Sequence, residues 1–216
     1  MIKIENINLF GWEAAIRGMR NPLNSWGKSD SYQWYGCDAS QGFEIGPNDM
    51  KLMKNLVKAG SDHGKFMRMI TVSCDITAPL YWWKEYDTYK VGTVANSCST
   101  MHKIQAKEFT LDDFSYEHLL DTFTDNLKET IESLNIARNK FLETNNKNFW
   151  WQMIQLLPSS YNQRRTVMLN YAVLRNMYHS RKYHKLDEWV AFCRWIEKLP
   201  YSELITKNYK DESGDE

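Results

Sequence analysis

The sequence has 216 residues, and its 27 Lys plus Arg residues balance 27 Asp plus Glu residues. A net charge of zero gives no long-range attraction to nucleic acid or to an anionic membrane. The sequence also contains no run of eighteen apolar residues, the length needed to span a bilayer. The length predicts a single domain over 1–205, followed by a polar, acidic and disordered tail over 206–216.

Four cysteines lie far apart and show no C-x-x-C spacing: Cys37, Cys74, Cys98 and Cys193. This pattern argues against a disulfide framework or a metal site and predicts reduced thiols in a cytoplasmic protein. The first ten residues alternate like a strand and lack the apolar run of a signal peptide. Aromatic residues make up 14% of the chain. Because such residues are favoured at subunit interfaces, we expect a homo-oligomer.

Hydrophobic periodicity and turn residues predict helices and strands in the first half of the chain. They are a strand over 2–9, a helix over 12–19, a helix over 47–59 closed by Gly60, and a strand over 66–76. The segment 24–46 has no helical period, so we expect a loop there. Its tryptophans indicate that the loop is ordered and packs over a site or a neighbouring subunit.

The second half of the chain is predicted to be mostly helical. The same criteria predict a strand over 104–109 and helices over 115–144, 148–157, 163–180 and 184–199, with 115–144 the longest. The predicted class is therefore α+β with helix dominant and no internal repeat.

The segment 78–103 is the most unusual stretch, with the sequence A-P-L-Y-W-W-K-E-Y-D-T-Y-K-V-G-T-V-A-N-S-C-S-T-M-H-K. Ala78-Pro79 fits the first turn of a helix, since proline there gives up an N–H that lacks a helical partner. Gly92 is expected to end that helix. The small and hydroxyl-bearing residues over 92–100 let the backbone approach a ligand and offer hydrogen bonds to it.

Two blocks of this sequence resemble the flavin-dependent thymidylate synthases. That family opens a helix with Ala-Pro, continues with Arg-Gln and Arg-His-Arg, and places a serine seven or eight residues later. Here Lys84-Glu85 stands at Arg-Gln, Thr88-Tyr89-Lys90 at the triplet, and Cys98 or Ser99 at the serine. Leu157-Pro158, Asn170 and Arg181 resemble the family's late Leu-Pro, Asn and Arg. The two blocks, together with the helices between them, cover roughly 60–199.

The resemblance implies a helix-dominated fold with a small antiparallel sheet and a homotetramer whose sites are each lined by more than one subunit. It also implies a reaction in which FAD carries hydride from NADPH, and methylenetetrahydrofolate gives a carbon to dUMP. By position, the FAD-binding residues would be Thr88, Tyr89 and Lys90, and the nucleotide-binding residues Lys84, Glu85, Asn96, Ser97, Ser99 and Arg181.

Several residues at these motif positions differ from those of the family. Lysine binds phosphate as a point charge without arginine's bidentate fork, and Thr88 and Tyr89 carry no charge at all. Glu85 places an anion where the family has an amide, which hints at a base edge different from that of uracil. Arg181 could hold a phosphate, or it could simply interact favourably with a helix C-terminus.

Cys98 and Ser99 are the candidate catalytic residues. Cys98 could act as a nucleophile with His102 as the nearby base, although a small residue filling a tight segment is the simpler interpretation. Ser97 and Ser99 are better suited to hydrogen-bonding a sugar or phosphate than to nucleophilic attack.

Three functions therefore remain open at the level of sequence. The first is a divergent flavin-dependent enzyme that alkylates C5 of a pyrimidine deoxynucleotide, as in the methylation of dUMP. The second is a non-catalytic protein on the same scaffold that has lost FAD and sequesters or senses a nucleotide. The third is a structural oligomer, for which the polar segment 96–102 has no obvious use.

Overall fold

The chain alternates helices with short strands throughout the described residues, 2–37 and 41–209, of a computed structural model. In chain order the elements are β1 (Lys3–Phe10), α1 (Trp12–Arg20), β2 (Tyr32–Tyr35), β3 (Gln41–Glu44), α2 (Pro47–Lys58), β4 (Thr71–Pro79), α3 (Leu80–Tyr86), β5 (Val94–Ser97), α4 (Thr100–Lys103), α5 (Asp121–Thr144), α6 (Lys147–Leu156), β6 (Asn162–Asn170), α7 (Tyr171–Arg181), α8 (Asp187–Ile196) and α9 (Glu203–Thr206). The predicted class, α+β with helix dominant and a small antiparallel sheet, is confirmed.

Four strands form the main sheet in the order β1-β4-β6-β5, and every neighbouring pair is antiparallel. Burial alternates along β4, because Val72, Cys74, Ile76 and Ala78 point to the inner face and the residues between them do not. The inner face packs against α3, α7 and α8 in the larger of two hydrophobic clusters. β2 and β3 form a separate antiparallel hairpin.

The second hydrophobic cluster lies between α5 and α6. Its buried members include Leu127, Ile131 and Leu134 of α5 and Met153 of α6. Ile104 and Phe109 join it from the preceding segment. The chain thus has a sheet-based core and a smaller helical one, and the candidate site belongs to the first.

Several sequence predictions agree with these elements. The N-terminal strand and the helices predicted over 12–19, 47–59 and 148–157 are correct to within one residue at each end. The helix predicted over 115–144 is indeed the longest among the described residues, although it begins at Asp121. The helix predicted over 184–199 occupies 187–196.

The prediction of one helix over 163–180 is wrong. This segment forms β6 and then α7, with the change at Asn170, whose side chain accepts a hydrogen bond from the Val173 N–H and so caps α7. The alternation of Gln163, Arg165, Val167 and Leu169 is the strand signal. It was hidden because two of the four inward residues are polar.

The strand predicted over 104–109 is also wrong, because a turn and irregular backbone follow α4 in that region. The backbone of Phe109 forms its hydrogen bonds with a side chain instead of with a neighbouring strand. Its N–H donates to Asn135 Oδ1 at 2.8 Å, and its carbonyl accepts from Asn135 Nδ2 at 2.9 Å. One amide side chain from α5 thus supplies both bonds that a neighbouring strand would have made.

The strand predicted over 66–76 lies further along the chain, over Thr71–Pro79, and a 3-10 turn occupies Gly64–Arg68. Pro79 therefore ends the strand and precedes α3 as its N-cap residue, rather than opening the helix from inside. The helix itself ends at Tyr86, before Gly92. Gly92 has a φ of 79° in the turn that leads to β5.

The segment 24–46, predicted as a loop, contains a 3-10 turn and the β2–β3 hairpin. It is tied to the body by Asp49 at the start of α2. Asp49 binds Arg20 Nε at 2.6 Å and accepts hydrogen bonds from the hydroxyls of Ser29 and Ser31. Residues 38–40 lie outside the described residues.

The predicted tail over 206–216 lies partly outside the described residues, which end at Tyr209. Tyr209 is buried, and its hydroxyl donates to the Glu203 carbonyl at 3.1 Å. The packed part of the chain therefore extends beyond residue 205.

Candidate functional site

Glu85 and Arg181 form an ion pair between the last turn of α3 and the last residue of α7. Arg181 Nη1 lies 2.5 Å from Glu85 Oε2, although the two residues are 96 positions apart. Glu85 is 34% exposed and Arg181 20% exposed, so the pair faces solvent at the edge of the core. Two of the six residues that the resemblance assigns to a nucleotide are thus in direct contact.

Two further donors converge on the same carboxylate oxygen. Trp189 Nε1 of α8 donates to Glu85 Oε2 at 3.2 Å, and His184 Nε2 lies 3.2 Å from it. His184 Nδ1 accepts the Leu186 N–H at 3.1 Å. In the neutral ring this leaves the proton on Nε2, which faces Glu85. Three donors therefore hold Glu85 Oε2 in place.

Tyr89 completes this cluster from the turn after α3. Its hydroxyl accepts a hydrogen bond from Arg181 Nε at 2.9 Å. The Arg181 guanidinium also lies over the rings of Trp189 and Tyr89, with its carbon 4.9 Å and 5.6 Å from the ring centres. Such cation–π contacts fix the plane of the guanidinium. We call Glu85, Tyr89, Arg181, His184 and Trp189 the Glu85 cluster.

The rest of the predicted FAD triplet contributes little to a phosphate site. The Thr88 hydroxyl donates to the Glu85 carbonyl at 2.7 Å, and the Tyr89 hydroxyl accepts from Arg181. Lys90 is exposed, as is Lys84 on α3. The triplet therefore presents a single cation, and it does not fit a role of gripping a flavin diphosphate.

Asn96 and Ser97 lie on β5, the edge strand of the sheet. Asn96 is opposite Thr166 and Ser97 opposite Arg165, and both predicted residues are exposed. Because side chains alternate along a strand, Ser97 shares the inner face with Arg165, and Asn96 lies on the outer face. The structure thus divides these two predicted nucleotide-binding residues between the two faces of the sheet.

Cys98 and Ser99 follow β5 and line a cavity of about 330 Å³. The Cys98 thiol is exposed. Ser99 Oγ accepts the His102 N–H at 3.2 Å and so caps the short helix α4. The other cavity-lining residues include the cations Lys103, Lys107 and Arg164 and the acids Asp112 and Asp113.

A hydrogen-bonded chain connects the β5 segment to α3. Gln163 Nε2 donates to the Cys98 carbonyl at 2.9 Å, and Arg165 Nε donates to Gln163 Oε1 at 3.0 Å. Arg165 Nη1 then binds Asp87 at 2.8 Å, directly after α3. Its guanidinium lies 4.2 Å from the centre of the Trp83 ring. These contacts hold Cys98 at a fixed position relative to the turn that carries Tyr89.

Asp75 of β4 orders the outer face of the sheet next to Asn96. It accepts hydrogen bonds from Thr166 Oγ1 at 2.5 Å, Asn6 Nδ2 at 2.7 Å and Arg164 Nη2 at 2.6 Å. These bonds, with that from Thr166 the strongest, hold the pKa of the Asp75 carboxyl well below its usual range. Arg164 is therefore already paired on this face.

A separate groove of about 1490 Å³ lies between α1, α2 and the 3-10 turn at Gly64–Arg68. Its floor is apolar and includes Met19, Leu52, Leu56 and Phe66. The cations on its lining that have no ion-pair partner among the described residues are Lys28, Lys51, Lys65 and Arg68. We call this the cationic groove.

Sequence reasoning missed Trp189 and Gln163. Neither Trp189 nor Gln163 lies in a motif or at a spacing that would indicate a role in the site. His184 lies within the run H-S-R-K-Y-H-K over 179–185, whose cations surround Arg181 in the sequence. Within 2–37 and 41–209, no group of three or more His, Cys, Asp or Glu side chains could hold a metal ion. In the same ranges, no helix is long and apolar enough to cross a membrane.

No protein-family model matches the chain, and no curated protein sequence matches it. Solved structures, in contrast, match nearly its whole length. The flavin-dependent thymidylate synthase ThyX from Helicobacter pylori, complexed with FAD and dUMP, superposes with a TM-score of 0.66 and 16% identity over 97% of this chain and 98% of that chain.

Two further structures agree. Thymidylate synthase X from Helicobacter pylori with FAD and dUMP gives a TM-score of 0.66 and 15% identity over 98% of both chains. The UMP/dUMP methylase PolB from Streptomyces cacaoi, bound with 5-Br dUMP, gives 0.59 and 12% identity over 95% of both chains. At these identities the likeness establishes the architecture: the chain has the fold of the flavin-dependent thymidylate synthases.

Proposed function

We propose that this protein binds a pyrimidine deoxynucleotide at the Glu85 cluster and alkylates its C5 position, as a divergent relative of the flavin-dependent thymidylate synthases. One observation carries the proposal. Glu85 and Tyr89 from the first resembling block and Arg181 from the second meet in one hydrogen-bonded cluster. Residues this far apart in sequence converge at the point where the resemblance places the nucleotide.

The chain's own residues would bind and orient the substrate. Lys84 and Lys90 are exposed cations close in sequence to the cluster and can balance the charge of a phosphate. Asn96, Ser97 and Ser99 offer polar groups to a sugar. Cys98 and Ser99 remain the candidates for contact with the reacting carbon, because they line the cavity at the end of β5.

The cationic groove fits FAD better than the triplet does. A flavin dinucleotide combines aromatic rings with a diphosphate, and the groove combines an apolar floor with Lys28, Lys51, Lys65 and Arg68. When bound, FAD would pass hydride from NADPH to the carbon unit that methylenetetrahydrofolate supplies. In a homotetramer, as in the resembled family, each site would be lined by residues of more than one subunit.

A specific observation favours a second function, a nucleotide-binding protein that has lost FAD. Thr88 and Tyr89 are engaged within the chain, and Arg20 and Arg17, which could have compensated, are paired with Asp49 and Glu13. A protein of this kind would sequester or sense a nucleotide. The two functions share the Glu85 cluster and differ in the use of the groove.

The visible absorption spectrum of the purified protein, before and after addition of FAD, separates the two functions. Flavin bands that a reduced nicotinamide cofactor bleaches support the enzyme, and turnover of dUMP with methylenetetrahydrofolate then follows as the assay. A protein that remains colourless and shows no thermal shift with FAD contradicts the enzyme and leaves the binding function.

Charge-reversal variants locate the flavin. We expect Lys51→Glu and Lys65→Glu each to weaken FAD binding about tenfold or more, because each removes a charge-assisted contact and adds a repulsive one. Lys54→Glu is the matched control. Lys54 lies on the same helix as Lys51 but is directed away from the groove, 3.7 Å from Glu203. Equal losses in all three variants would contradict a flavin in the groove.

A further inference from the structure

The Glu85 cluster leaves three hydrogen-bonding groups free for a ligand. Oε2 of Glu85 takes all three of its donors, so Oε1 has no partner among the described residues. Arg181 uses Nε and Nη1, which leaves Nη2 free there. The Tyr89 hydroxyl accepts from Arg181 and can still donate its own proton. Within the described part of the chain, Glu85 Oε1 and Arg181 Nη2 are unpaired and are not among the buried unpaired atoms, so solvent reaches both.

The order of these groups follows from the shape of the guanidinium. Around its rim, Nη2 lies between the Nε–H that faces Tyr89 and the Nη1 that faces Glu85. In order around the guanidinium, the free groups are therefore a donor from Tyr89, a donor from Arg181 and an acceptor from Glu85, and we call this order the row. The cation–π contacts with Trp189 and Tyr89 and the three bonds to Oε2 hold this row in place before any ligand arrives.

We propose that this row binds the pairing edge of cytosine, so that the preferred substrate is a cytosine rather than a uracil deoxynucleotide. Cytosine presents acceptor, acceptor and donor in sequence, namely O2, N3 and the 4-amino group. Tyr89 would donate to O2, Arg181 Nη2 to N3, and Glu85 Oε1 would accept from the amino group. The inference rests on the proposed nucleotide site and names its substrate class.

The other bases match the row less well. Uracil presents acceptor, donor and acceptor, so its N3–H would face the Arg181 donor and its O4 would face the Glu85 carboxylate. Adenine satisfies Arg181 and Glu85 through N1 and its amino group but has no acceptor for Tyr89. Guanine presents acceptor, donor and donor, and its N1–H meets Arg181. Cytosine alone satisfies all three groups.

The same contacts make Arg181 a poor phosphate ligand. Glu85 already neutralises the guanidinium, and a phosphate beside Arg181 would lie close to the Glu85 carboxylate and be repelled by it. The exposed lysines Lys84 and Lys90 have no carboxylate within ion-pair distance among the described residues, so they suit the phosphate better. Arg181 is then a base-contacting residue.

Titration calorimetry with dCMP, dUMP and dAMP tests the inference. We expect the wild-type protein to bind dCMP about tenfold or more tightly than dUMP or dAMP, the discrimination typical of a well-placed base contact. Glu85→Gln should reduce the dCMP-to-dUMP preference about tenfold, because the amide can turn its donor toward O4. Tyr89→Phe should weaken dCMP and dUMP by the same factor, since both bases carry O2.

Glu203→Gln is the matched control. Glu203 also has a 34% exposed side chain and pairs with a cation, Lys54, outside the cluster, so its variant should keep the wild-type preference. If dUMP or dAMP binds the wild-type protein as tightly as dCMP, the cytosine assignment is overturned and the proposed nucleotide site stands. If neither pyrimidine nucleotide binds, the proposed function fails together with the inference. The wild-type comparison decides this even if a variant does not fold.

Discussion

At the scale of single residues, Glu85 has the largest consequence in the site, because it stands where the resembled family has an amide. An amide at that position would leave Arg181 with its full charge facing the solvent. The carboxylate instead pairs with Arg181 at 2.5 Å and draws in Trp189 and His184. The site therefore offers a fixed pattern of donors and acceptors instead of a free cation, and such a pattern is better suited to distinguishing bases than to attracting phosphate.

The pair of Arg20 and Asp49 is the most buried charge interaction described, with side chains 5% and 0% exposed. Asp49→Asn should lower the free energy of unfolding by about 3–5 kcal/mol, because it leaves the Arg20 guanidinium buried without a counter-charge. Urea unfolding measures this loss. Glu13→Gln, which breaks a surface pair with Arg17, should cost at most about 1 kcal/mol. Similar losses in both variants would contradict the assigned role of Asp49.

Asp49 also gives stability a pH dependence. Burial alone would raise its pKa, but hydrogen bonds from Ser31, Ser29 and Arg20 outweigh burial, and the pKa lies below its usual value. The stabilisation is therefore complete above the unfolded-state pKa of about 3.9 and is lost as pH falls through the lower native value. Below pH 4, the wild-type protein and Asp49→Asn should converge in unfolding free energy. A constant difference down to pH 2 would contradict this.

At the scale of elements, Gly11 fixes the turn from β1 into α1. Its φ is 93°, and an added Cβ would lie 2.0 Å from the Met69 carbonyl oxygen. Gly11→Ala should therefore destabilise the protein by at least about 1–3 kcal/mol from backbone strain, and the clash adds to that. Gly27→Ala is the control, because nothing lies within 4 Å of its added Cβ. Equal midpoint temperatures of thermal unfolding in the two variants would contradict this prediction and show that the β1–α1 turn tolerates rearrangement.

Hydrophobic spacing and boundary residues explain which elements could be predicted from the sequence. α1, α2 and α6 carry apolar residues at helical spacing or clear boundary residues, and the sequence placed them within one residue. β6 could not be recognised from hydrophobicity. Arg165 faces inward but is satisfied by Asp87, Gln163 and the Trp83 ring, so its polarity hides the alternation. Such tertiary compensation leaves no local pattern.

The candidate site was predictable only in part for a related reason. Motif spacing singled out Glu85, Tyr89 and Arg181, and the fold brings them together. Trp189 and His184 join the cluster through the packing of α8 and the turn before it, which no spacing rule foresees. Asn96 and Ser97 were grouped by sequence, yet adjacent residues on a strand face opposite sides.

At the scale of the whole molecule, the chain keeps the complete fold of the flavin-dependent thymidylate synthases while the cations of its triplet are reduced to one. Four cations without an ion-pair partner among the described residues lie instead around the cationic groove, in a protein whose net charge is zero. We propose that function is redistributed within this scaffold: the Glu85 cluster would contact a base, and the groove would be available for a larger anion.

The measurement that tests the central claim most directly is titration calorimetry of the wild-type protein with pyrimidine deoxynucleotides, with deoxyribose 5-phosphate as the control ligand. The control shares the sugar and the phosphate but lacks the base. The account predicts that a pyrimidine nucleotide binds and that deoxyribose 5-phosphate binds about tenfold or more weakly, because the Glu85 cluster contacts the base. Equal affinity for the sugar phosphate, or no heat with any pyrimidine nucleotide, would contradict it.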